Sequence, residues 1–195
     1  MLELDTPHGP ARAYLREADS PRGWLVLGHG AGGGVESPDL KGAAQAGLEA
    51  GLSVALVEQP YRVAGRRSPA PAGQLDTAWV AVVEQLPLGG LPLVAGGRSS
   101  GARVACRTAA DTGAAAVLCL AFPLHPPGRP EKSRLDELDA VTVPTLVVQG
   151  ESDPFGLPPA AGNRVVVTIP GSHSLRNAAT VAKPVGEWLA ATLVG

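Results

Sequence analysis

Short apolar runs, several rich in β-branched residues, recur along the chain at Trp24 to Leu27, Val54 to Val57, Leu91 to Ala95, Val117 to Leu120, Leu146 to Gln149 and Val165 to Ile169. A strand buried on both faces reads as a continuous apolar run. Such runs, spaced by helix-length segments, are what a parallel sheet covered by helices on both sides requires. Two further pieces, Leu2 to Leu4 and Ala11 to Leu15, alternate more and are joined by a Pro/Gly turn, which predicts an antiparallel hairpin at one edge. The pattern therefore predicts an α/β fold with a mostly parallel central sheet of about seven or eight strands.

The intervening segments carry helical spacing. Ser37 can cap a helix whose first position is Pro38, with Leu40, Ala44, Gly47 and Leu48 on one face and Gly51 past its end. Leu75, Ala78, Trp79, Val82 and Leu86 repeat at helical intervals and predict a second helix, and Ser100 to Ala110 a third. A last helix is expected between Ala178 and Leu193, with Val181, Val185, Trp188 and Leu189 inward and Pro184 either starting or kinking it. The Pro/Gly-rich stretches at 60–73 and 123–130 read as loops.

With 195 residues, 45% of them hydrophobic and 17% charged, the chain has enough apolar material for one core, and residues 1–195 are expected to form a single domain. Sixteen Lys and Arg stand against eighteen Asp and Glu, and no face-long basic run is present to neutralise phosphates, so nucleic acid is not an expected partner. The Arg62, Arg66 and Arg67 cluster lies in a loop and reads as solvated. Cys106 and Cys119 lie in apolar segments without metal-ligand spacing and read as small buried hydrophobes. No run approaches the roughly 18 apolar residues of a membrane span, and the first residues lack a signal-peptide pattern. A soluble, cytoplasmic protein without a membrane partner is the expectation.

Gly97-Arg98-Ser99-Ser100-Gly101 matches G-x-S-x-G, directly after a predicted strand and at the start of a predicted helix. A nucleophile in that turn occupies a strained backbone conformation, and small neighbours let the turn close. A serine hydroxyl needs an imidazole to take its proton, and the imidazole needs a carboxylate to fix its tautomer. Gln149-Gly150-Glu151-Ser152-Asp153-Pro154 and Pro170-Gly171-Ser172-His173-Ser174 each follow a later strand, in the order acid then base. Asp153, favoured over Glu151, and His173 are therefore the expected partners of Ser99. Backbone N–H donors for an oxyanion are expected at Ser100 and, from the glycine-rich loop Gly28-His29-Gly30-Ala31-Gly32-Gly33-Gly34, at Ala31. His29, Gly30 and His125 are candidates for the pocket wall. No G-x-G-x-x-G register or Gly-Lys-Ser/Thr ending supports a nucleotide site.

The segments HGAGGG, GGRSSG, FPLHPPGRPEK, VQGESDPFG and GSHSL, spread over nearly the whole chain, resemble the α/β-hydrolase superfamily. Within it they look like the small lidless group related to dienelactone hydrolases, and like the hydrolase-like family that also contains a scaffold subunit of a chromatin acetyltransferase complex. The resemblance implies the α/β-hydrolase fold, the triad Ser99, Asp153 and His173, and the donors Ala31 and Ser100. Dienelactone hydrolases use a cysteine nucleophile where this chain has Ser99, so their substrate does not carry over. Pro123 to Pro144 is too short for a helical lid. The expected activity is hydrolysis of small esters, thioesters or lactones through an acyl-serine, without metal or organic cofactor. The alternative is a catalytically idle hydrolase fold serving as an interaction scaffold.

Overall fold

The computed structural model describes residues 1–193, so the last two residues of the expected 1–195 domain lie outside the described residues. Eight strands form one sheet: β1 (Leu2–Leu4), β2 (Ala11–Arg16), β3 (Trp24–Gly28), β4 (Ser53–Glu58), β5 (Leu93–Arg98), β6 (Ala116–Leu120), β7 (Thr145–Gly150) and β8 (Arg164–Ile169). Their spatial order is β1-β2-β4-β3-β5-β6-β7-β8. The first two strands pair antiparallel with each other, β2 pairs antiparallel with β4, and every pair from β4 to β8 is parallel.

Strand periodicity divides the interior into two layers. Along β3, Trp24 and Val26 point to one face and Leu25 and Leu27 to the other; along β6, Val117 and Cys119 oppose Ala116, Leu118 and Leu120. The first face is covered by α2 (Pro60–Val63), α3 (Ala72–Gln85), α4 (Ser100–Arg107) and α5 (Leu135–Asp139). They contribute Tyr61, Leu75, Trp79, Val82, Val104, Ala105 and Leu138 to the core. The second is covered by α1 (Pro38–Glu49) and α6 (Ala178–Thr192), through Leu40, Ala43, Ala44, Val181, Val185 and Leu189. Between β6 and β7 the only helix is the five-residue α5, so nothing forms a lid. No helix among the described residues is long and apolar enough to cross a membrane.

Several local expectations are modified. The third core strand begins at Leu93 and runs on through Gly96 and Gly97 to Arg98, where the sequence suggested Leu91 to Ala95. Glycine belongs in this strand because neighbouring chains come too close for a side chain: a Cβ at Gly96 would meet Leu118, and one at Gly97 would meet the Gly28 carbonyl. α4 stops at Arg107 rather than Ala110. Ser37 occupies the N-cap of α1 in extended conformation, but its side chain makes no capping bond. Pro184 sits inside α6, which starts at Ala178 under the Asn177 cap, so it does not begin the helix. In the 60–73 loop a single turn, α2, brings Tyr61 into the core. Cys106 and Cys119 are free and buried, their sulfurs 3.4 Å apart across α4 and β6, and the Cys106 contact, together with burial, holds the Cys119 thiol well above the usual range.

Backbones come very close beneath the site where β3, β5 and α4 meet. A Cβ on Gly101 would collide with the carbonyl of Gly28 and stand 2.9 Å from that of His29. Both obstacles are backbone, which cannot rotate away. Gly101→Ala should destabilise the fold by about 1–3 kcal/mol, read as a lower urea midpoint with an unchanged slope.

Candidate active site

β5 delivers Ser99 into the turn before α4 with φ 51° and ψ −107°, a conformation that non-glycine residues rarely adopt. Its N–H donates to the Leu120 carbonyl at 2.9 Å, which fastens the turn to β6. The turn after β7 carries Asp153, whose side chain is fully buried. Beyond β8, Gly171 at φ 131° bends the chain so that His173 faces back over the sheet, and the buried Leu175 anchors this loop in the core. The acid and base loops are tied together, since Ser152 donates to the Gly171 carbonyl through both its N–H (3.0 Å) and its hydroxyl (2.9 Å).

The three side chains meet in one hydrogen-bonded line. His173 Nδ1 lies 2.9 Å from Asp153 Oδ2 and Nε2 lies 2.9 Å from Ser99 Oγ. A carboxylate only accepts, so Nδ1 carries the proton and Nε2 is left to accept from the serine hydroxyl. The other carboxylate oxygen accepts the Phe155 N–H at 2.9 Å. Glu151, the rival acid, is exposed.

Gln149 was legible only as the end of a strand, yet it organises the acid turn. Fully buried, its amide nitrogen donates toward Asp153 Oδ2 at 2.8 Å, the Gly156 carbonyl at 2.9 Å and the Phe122 carbonyl at 3.0 Å. A polar residue closing an otherwise apolar strand was the available signal. Phe155, also missed, stacks on the imidazole with ring centroids 4.2 Å apart.

The glycine-rich loop after β3 lies against Arg98, the residue before Ser99. No acceptor among the described residues takes the N–H of Ala31 or of Ser100, so both donors are free. Tyr61 secures the loop by donating its hydroxyl to the Ala31 carbonyl at 2.8 Å; burial raises its pKa to about 12, keeping the proton in place. Gly30 turns its carbonyl away, toward the His29 ring and the Gly33 N–H.

His29 and His125, the two histidines offered for the pocket wall, are each held by main-chain partners, and His29 lines a small cavity shared with Tyr61, Trp79 and Ser100. His29 is 3% exposed beneath the loop, with Nδ1 donating to the Gly30 carbonyl at 2.8 Å and Nε2 accepting the Gln59 N–H at 3.1 Å. Those bonds demand the neutral ring, and burial depresses its pKa. His125 packs on the acid turn instead: its N–H donates to the Phe155 carbonyl at 3.0 Å and its Nδ1 to the Pro126 carbonyl at 2.9 Å.

An open groove of about 570 Å³ runs alongside, between Gly32 and Gly33 on one bank and Ser174 to Arg176 on the other, with Arg98 in its wall. Among the described residues no group of three or more His, Cys, Asp or Glu side chains is gathered to hold a metal ion.

Residues 21–175 match the family model described as an alpha/beta hydrolase domain. No curated protein matches the sequence. Among solved structures, Est1E from Butyrivibrio proteoclasticus with ferulic acid bound superposes with a TM-score of 0.80 at 18% identity, over 100% of both chains. A lidless α/β serine hydrolase from Xanthomonas campestris gives 0.78 at 22% identity, over 100% of this chain and 94% of that one. A dienelactone hydrolase from Anabaena variabilis gives 0.72 at 19%, over 96% and 93%.

Two expectations follow from these contacts. Removing the Gln149 donor takes a hydrogen bond from the buried Asp153 carboxylate and leaves the Gly156 carbonyl without its partner, so Gln149→Leu should cost about 1–3 kcal/mol, measured by chemical denaturation. For His29 the folded pKa lies below the unfolded value, so its contribution to stability is complete above pH 6.5 and is lost as pH falls below that point. Melting temperatures recorded from pH 8 to pH 5 should therefore fall more steeply for the wild type than for His29→Gln.

Proposed function

Because the chain belongs to the alpha/beta hydrolase family, we propose that it is a serine hydrolase acting on small carboxylic esters, thioesters or lactones. The observation that carries the reading is the unbroken line Asp153–His173–Ser99, with both of its links at 2.9 Å. Each residue then has a definite task. His173 Nε2 takes the hydroxyl proton as Ser99 Oγ attacks the acyl carbon, while Asp153 stabilises the imidazolium and holds the ring's orientation. The N–H groups of Ala31 and Ser100 receive the oxyanion of the tetrahedral intermediate. The imidazolium returns its proton to the departing alkoxide, thiolate or ring oxygen, leaving an acyl-serine. Water, deprotonated by the same imidazole, attacks the acyl carbon; the acyl–Oγ bond then breaks, the imidazolium returns its proton to Ser99 Oγ, and the carboxylic acid leaves.

The absence of a lid between β6 and β7 fits substrates small enough to reach the serine directly. Lipid aggregates, which many lipases meet by moving a lid, are a poorer match. The partner in this reading is a small acyl compound, and the chemistry calls on side chains and backbone alone.

The test is labelling with a fluorophosphonate probe alongside a panel of short p-nitrophenyl esters. The wild type should label at Ser99 and turn over the esters; Ser99→Ala and His173→Ala should lose labelling and lower kcat by roughly 10⁴- to 10⁶-fold. A folded wild type that neither labels nor hydrolyses any ester of the panel would overturn the hydrolase reading and favour the scaffold alternative.

A further inference from the structure

One guanidinium joins four segments of the site. Arg98 ends β5, immediately before Ser99. Its Nε lies 2.8 Å from Asp39 Oδ2 in the first turn of α1, and the Asp39 side chain is only 2% exposed. Its Nη2 donates to the backbone carbonyl of His173 at 3.2 Å. Its Nη1 packs against Gly30, whose missing side chain makes the room, since a Cβ there would stand 2.5 Å from that nitrogen. Asp39 spends its other oxygen on the Leu40 N–H at 2.9 Å. Among the described residues Arg98 is its only cationic partner.

A buried carboxylate demands a counter-charge. Charge alone does not demand arginine. A lysine could neutralise Asp39, but its single ammonium could not also serve a carbonyl on the base loop and fill the space beside Gly30, whereas a planar guanidinium presents donors in several fixed directions. We propose that Arg98, held by its ion pair with Asp39, is a positioning residue that sets the distance between the imidazole of His173, the serine turn and the oxyanion loop. The inference rests on the serine-hydrolase reading. It touches no reacting atom; it acts through the His173 main chain and the backbone at Gly30.

Positioning predicts that kcat and folding respond separately. Arg98→Met leaves Asp39 buried without a counter-charge and should lower the melting temperature markedly. The double variant Arg98→Met/Asp39→Asn removes both charges and should regain most of that loss. Its kcat, per active site titrated with the fluorophosphonate, should nevertheless stay about ten- to a hundredfold below wild type, with KM changed less than about threefold. Arg98→Lys keeps the charge and should fold like the wild type while showing the same selective fall in kcat. Wild-type kcat per titrated site in Arg98→Lys or in the refolded double variant would overturn the inference and reduce the pair to a structural ion bridge. A wild type that does not label at all would instead remove the hydrolase reading on which it rests.

Discussion

The site depends on a backbone contact in which side chains have no place. Where β3, β5 and α4 converge, Gly28, Gly97 and Gly101 approach so closely that a Cβ at Gly97 or Gly101 would run into main chain. That proximity bends the chain between strand and helix sharply enough to hold Ser99 at positive φ. The strain is carried by the best-supported part of the molecule, with β3 and β6 paired to either side of β5 and Leu120 accepting the Ser99 N–H. Arg98 is fixed in the same place by the same strand. The turn that presents the proposed nucleophile thus also aims the guanidinium at the loops on both banks.

Around this fixed centre the polar groups are organised by burial. Asp153 is dry, yet its carboxylate receives hydrogen bonds from Gln149, the Phe155 N–H and the imidazole. Asp39 is equally dry and has Arg98. His29 is held neutral by two main-chain partners. Each of these groups would be costly without its partner, whether the partner is a hydrogen-bond donor, as for Asp153 and His29, or a counter-charge, as for Asp39. Farther out, Arg103 and Arg107 bind Glu137, and Arg107 also binds Asp76, joining α3, α4 and α5 over one face of the sheet.

Much of this was legible beforehand, for physical reasons. Strands buried on both faces write themselves as apolar runs, and Ser99, Asp153 and His173 each follow such a run; the structure brings these three together. What escaped depends on distances between segments far apart in sequence. Gly96 and Gly97 suggest a turn until the neighbouring carbonyls are seen. Tyr61 lies in a Pro/Gly-rich stretch and only the fold brings its hydroxyl to Ala31. The bonds His29 makes to Gly30 and Gln59, and His125 to Pro126, were not legible either, because a histidine's partners are decided by packing that a linear pattern does not contain. Arg98 occupies the unspecified position of G-x-S-x-G, so the motif carries no information about it.

The strand order has a further consequence for how the molecule comes apart. Ser99 is suspended from the middle of the sheet, whereas His173 follows β8, which lies at an edge, pairs with β7 alone and leaves Val165 51% exposed. Edge elements with few neighbours open at lower free energy than the centre. The imidazole therefore hangs from a less supported element than the serine it faces. Fraying of a single outer strand would dismantle the constellation while the greater part of the core stayed folded.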